Sequence, residues 1–124
     1  MSRGPRCETK RWTPSGGFVA DRQPRYRPAA QAELIEAATR YEAASEGLGA
    51  DFIKAIDDAL AVVVASPERW PFAPRVSPRH RVRRYPLKRF PFAVVYRLVG
   101  EDELEVLAVA HQKRRPGYWT RRLP

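Results

Sequence analysis

The sequence predicts an α+β domain: an N-terminal antiparallel αα-hairpin packed on a C-terminal antiparallel β-meander of three or four strands. Three observations predict it. The chain holds 12 prolines, yet none lies between Ala29 and Ser66. Inside that proline-free window apolar side chains recur at spacings of three and four, the helical period. From Val82 to His111 the period changes to two, and β-branched and aromatic residues dominate. A length of 124 residues suits one such domain.

Residues 1–23 contain Gly4, Pro5, Pro14, Gly16 and Gly17 among arginines, and no periodic apolar pattern. They read as a disordered or loosely attached basic tail that carries Cys7 and Trp12, with a single domain over 24–124. Tyr26-Arg27-Pro28 is a short strand or its end. Pro28 then suits the first turn of a helix. Ala30, Leu34, Ala37, Ala38 and Tyr41 form that helix's apolar stripe, and Glu33, Glu36, Arg40 and Glu42 are assigned to its opposite face. The helix fades at Ser45-Glu46-Gly47-Leu48-Gly49, where glycine permits left-handed geometry. Phe52, Ile56, Ala59, Leu60 and Val63 form a second stripe, widened by Ile53 and Val64, and Ser66-Pro67 ends it. Pro67, Pro71, Pro74 and Pro78 mark a connector that Trp70 and Phe72 are expected to pin to the core. Strands follow over 82–86, 92–99 and 104–111, separated by a turn at Lys88-Arg89-Phe90-Pro91 and a hairpin at Gly100-Glu101-Asp102-Glu103. A short helical turn closes the chain, with Trp119 covering the sheet.

The net charge of +9 is unevenly spread. Residues 1–28 carry +5, residues 29–74 carry −5 and residues 75–124 carry +9. The basic C-terminal half therefore has the composition of a surface for a polyanionic or acidic partner. A single cysteine excludes an internal disulfide framework, two histidines make a His-based metal site unexpected, and no cofactor is expected. The basic start lacks a following apolar segment, and no apolar run approaches a membrane span, so a cytoplasmic protein without a membrane partner is expected.

The order of motifs resembles the RelE/ParE superfamily of bacterial type II toxins, closer to the ParE branch. The resemblance rests on Ala32-Glu33-Leu34, Tyr41-Glu42, Gly47-Leu48-Gly49 before Phe52, and Pro67-Glu68-Arg69-Trp70-Pro71. It continues through Arg83-Arg84-Tyr85-Pro86-Leu87, Phe90-Pro91-Phe92 leading to Val95-Tyr96-Arg97, and Val106 to His111, ending at Arg114-Arg115-Pro116-Gly117-Tyr118-Trp119. It implies a toxin encoded beside an antitoxin that wraps and neutralises it in a hetero-oligomer. RelE-like members cut messenger RNA on the ribosome, whereas ParE-like members poison DNA gyrase.

The RelE-type constellation is largely missing. Its two lysine positions fall near Arg84 and Pro86, its strand arginine on Ala93 and its post-strand arginine near Gln112. Only its tyrosine has a counterpart, Tyr118. Metal-free RNA cleavage needs a base, an acid and cations for the phosphorane, and proline and alanine supply none of these. A divergent ribonuclease would have to use His111, Arg114 and Tyr118, with histidine as the side chain that titrates near neutral pH. The reading favoured by the losses is a non-catalytic gyrase poison. Its target- or nucleic-acid-binding residues are Arg81, Arg83, Arg84, Lys88, Arg89, Arg97, Lys113 and Arg115. A plain nucleic-acid-binding module is the third alternative.

Overall fold

The computed structural model describes residues 11–13, 17–19, 23–74, 76–99, 103–115 and 117–123, with side chains from Pro24 onward. Most of the expected basic tail, Cys7 included, lies outside the described residues. Two short strands are described there, β1 (Arg11–Thr13) and β2 (Gly17–Val19). They pair antiparallel as a ribbon separate from the main sheet.

Helix α1 (Pro28–Ala44) starts with its proline in the first turn, where the missing N–H is no loss. Helix α2 (Leu48–Ala65) follows after a turn of three residues. Gly47 makes that turn at φ 87°, a left-handed conformation that glycine adopts without penalty. Gly49 has a different role. A Cβ there would lie 2.6 Å from the carbonyl oxygen of Ala38, so its missing side chain lets the two helices touch. The Glu42 carboxylate accepts from the N–H groups of Gly47 and Gly49, both at 2.9 Å, and so caps the second helix from the first.

The main sheet holds β3 (Gln23–Tyr26), β4 (Val82–Pro86), β5 (Phe92–Val99) and β6 (Glu103–His111) in the order β3-β6-β5-β4. The antiparallel meander is present as β4-β5-β6, and β3 joins its far edge parallel to β6. The register slips between Val95 and Tyr96, pairing Val95 with Ala108 but Tyr96 with Val106. Leu107 is thus an extra residue in β6, and side chains beyond it change faces. Leu104 and Val106 reach the helices before this bulge, and Val109 reaches them after it.

The sheet is a middle layer. On one face Phe52, Ile56 and Val63 pack against Val94, Tyr96, Leu104 and Val106, and every one of these is fully buried. Tyr41, Phe52, Phe90 and Phe92 interlock edge to face or tilted, with ring centroids 5.0 to 6.2 Å apart. The buried Tyr96 hydroxyl donates to the carbonyl of Pro67 at 2.7 Å and ties the connector to the sheet. On the other face Trp119, in a 3₁₀ turn over Tyr118–Arg122, covers Val82, Val95, Leu107 and Ala108. Two expected core contributors lie outward: Ile53 is 42% exposed and Phe72 is 44% exposed. Phe72 is instead covered by the Arg83 guanidinium, 4.2 Å from its ring centre. Among the described residues no helix is long and apolar enough to cross a membrane.

Candidate functional site

Glu33 organises the end of the sheet where the charge gathers. The helical pattern assigns it to the outer face of α1, but its side chain is only 15% exposed. One carboxylate oxygen accepts the Tyr118 hydroxyl at 2.6 Å and an Arg122 N–H at 3.1 Å. The other accepts from the Val109 amide and from Arg122, each at 3.1 Å. Arg122 also donates to the Leu107 carbonyl at 2.8 Å. This network locks the C-terminal turn to both α1 and β6. Its parts are separated in sequence by up to 89 residues, so no local motif announces it.

Tyr118 is therefore a donor to a carboxylate. Burial, followed by the hydrogen bond to Glu33, holds its phenol well above the usual tyrosine range. The Arg114 guanidinium stacks on its ring at 4.0 Å, and Arg122 lies 5.3 Å from the same centre. His111 closes β6. Its ring meets Phe92 edge to face at 4.9 Å, and its Nδ1 accepts from the Lys113 backbone N–H at 3.0 Å. The proton of the neutral ring consequently sits on Nε2.

His111, Arg114 and Tyr118 do come together, at the wall between two cavities. One, of about 280 Å³, opens toward the helices and is lined by Glu33, Arg40, Phe92 and Lys113 besides these three. The other, of about 220 Å³, lies on the Trp119 side and includes Arg84 and Arg115.

The remaining basic residues singled out from the sequence disperse. Arg81 is exposed in a left-handed conformation, φ 56°, just before β4. Arg83 donates to the Trp70 carbonyl. Arg89 pairs with Asp51 at 3.3 Å, beside exposed Lys88 near a groove along α2. Arg97 pairs with Glu105 at 2.8 Å, far down β5. The cationic face is therefore several separate sites. Among the described residues no three His, Cys, Asp or Glu side chains converge in a group able to hold a metal ion.

The family model described as ParE toxin of type II toxin–antitoxin system, parDE, matches residues 25–116. No curated protein matches significantly. Among solved structures, the chain is similar to one described as the chromosomal ParDE TA system from P. aeruginosa. The TM-score is 0.53 at 21% identity, over 73% of this chain and 96% of that one. That likeness, at 21% identity, concerns the fold alone. With the family model spanning both helices and all four strands of the main sheet from Arg25 onward, the chain belongs to the ParE toxin family of type II toxin–antitoxin systems.

Proposed function

We propose that this protein acts in the cytoplasm as a toxin neutralised by a cognate antitoxin in a hetero-oligomer, and that it arrests growth by binding DNA gyrase without a covalent reaction of its own. The observation that carries the non-catalytic reading is the commitment of Tyr118. A phenol that donates to a half-buried carboxylate, and whose proton is held more tightly than usual, makes a poor acid or base near neutral pH. Arg114, stacked on that phenol, offers a guanidinium, which is a poor general base. His111 alone leaves one half of the acid–base pair unfilled.

Induced expression, with and without the product of the neighbouring gene, tests the toxin role. Growth arrest relieved by that product is the expected result. Gyrase-trapped DNA breaks with intact message support the target, whereas cuts in ribosome-bound message with purified protein would replace gyrase by the ribosome. Tyr118→Phe separates the mechanisms further. It removes one hydrogen bond to Glu33 and is expected to keep growth arrest at matched levels of folded protein, whereas loss of a general acid or base would abolish it.

A further inference from the structure

Arginines in and beside the main sheet differ in their partners, Arg83 donating to a backbone carbonyl. Arg25 pairs with Glu103 at 2.9 Å, Arg27 with Glu105 at 3.7 Å, Arg97 with Glu105 at 2.8 Å and Arg122 with Glu33 at 3.1 Å. Arg84, Arg114 and Arg115 have no carboxylate within 4.0 Å among the described residues. These three line one concavity, the cavity of about 220 Å³ on the Trp119 side, together with His111 and Gln112. Among the described residues no acidic side chain lines it.

We propose that this cavity seats a phosphodiester group of a nucleic-acid strand. Arg84 is half-buried on β4, so its guanidinium approaches from the sheet. Arg114 and Arg115 approach from the segment after β6, and Arg114 is held by its stack on Tyr118. Guanidinium forks arriving from separate elements match the several acceptor oxygens of a phosphate better than the two of a carboxylate. A volume of about 220 Å³ is below that of a pocket for a whole drug-sized ligand, and suits one group of a polymer lying across the surface. The floor of Val95, Ala110 and Trp119 supplies a low-dielectric wall that strengthens such contacts. In biological use the inference rests on the toxin reading, where DNA in a target complex would present this group.

Binding is measured with the full chain and a fluorescein-labelled single-stranded oligonucleotide at fixed low salt, without any other partner. Arg84→Ala and Arg115→Ala are each expected to weaken binding about tenfold, the loss of one charge-assisted contact. Arg69→Ala and Arg79→Ala, exposed and outside the cavity, serve as controls and are expected to change it by less than about twofold. Arg84→Lys keeps the charge but loses the fork, and should fall between wild type and Arg84→Ala. Because Arg115 is exposed, its variant remains informative should Arg84→Ala fail to fold.

Equal losses in cavity and control variants would show diffuse attraction and overturn the proposal. Displacement of the oligonucleotide by polyglutamate at lower charge concentration than by a second oligonucleotide would assign the cavity to an acidic protein segment and overturn it too. Inorganic phosphate competing as well as the strand, per phosphate, would reduce it to a free-anion site. If the mapped binding stands but expression causes no growth arrest, the toxin reading fails and the site remains. If growth arrest occurs while oligonucleotide binding is unchanged in both cavity variants, the site fails and the toxin reading remains.

Discussion

At the scale of single residues, the decisive group is Glu33. Its half-buried carboxylate satisfies an amide, a phenol and a guanidinium at once, and the Arg122 side chain it pairs with is only 20% exposed. Removing one partner of such a pair leaves the other charge poorly solvated, which costs more than the pair contributed. Glu33→Ala is expected to destabilise the fold by about 3 kcal/mol in urea unfolding, and Glu33→Gln by clearly less, since the amide retains an acceptor oxygen. Periodicity assigns Glu33 outward because charge normally seeks water. The partners that turn it inward come from the chain's other end, a relation no local window contains. The same blindness bears on Arg83, assigned from the sequence to target or nucleic-acid binding and found donating to the Trp70 carbonyl.

Tyr96 gives the residue scale its pH signature. Burial raises its phenol from 10.0 to about 12, with the Arg83 charge opposing the shift. A proton held more tightly in the folded than in the unfolded state favours folding fully below pH 10. That advantage declines as the pH rises through the folded value. Stability should therefore be flat from pH 8 to 9.5 and drop by about 1.4 kcal/mol per pH unit for this phenol between pH 10 and 12. Tyr96→Phe should remove this phenol's share of the alkaline decline, leaving the shares of Tyr26 and Tyr118, and should lower stability at pH 8 through loss of the bond to Pro67. Urea midpoints across this range check both.

At the scale of elements, both helices and the meander are legible in the sequence. Their signals are local: a proline-free window with a three-four period, then a two-residue period bounded by turns. Strand β3 is less so. It is four residues long, contains Pro24 and finds its partner some 80 positions away in β6, so it has neither a hairpin signal nor an alternating pattern. The bulge at Leu107 is likewise silent, because an extra residue in an unbroken apolar run leaves that run apolar. Yet it decides that Val109, and His111 beyond it, turn toward α1. The two glycines between the helices look equivalent in sequence and differ in structure. Gly49→Ala would drive a Cβ to 2.6 Å from a backbone oxygen that has no rotamer to retreat into. It is expected to cost about 2 kcal/mol or more, by urea or thermal unfolding, despite alanine's better helix propensity.

At the scale of the molecule, the question is how much of the chain the fold requires. The β1–β2 ribbon pairs only with itself, in a sheet apart from the main one. Strand β3, in contrast, completes that main sheet. It is paired along β6, the Arg27 N–H donates to the Val106 carbonyl at 3.0 Å, and Arg25 and Arg27 meet Glu103 and Glu105. The sheet's opposite edge is closed by the connector, where the Ala73 N–H donates to Val82 and the Arg84 N–H donates to Pro71. Pro86 adds a position on that strand without a donor. Stripping β3 would convert β6, apolar from Val106 to Val109, from an internal strand to an open edge. Two truncations therefore separate. A chain starting at Arg22 is expected to match the full chain in urea midpoint and to stay monodisperse by light scattering in the absence of a partner. A chain starting at Pro28 is expected to unfold at lower urea and to associate through β6. Equal behaviour of the two would show that β3 contributes nothing to the sheet, and a large loss from the first would place residues 1–21 inside the folded unit.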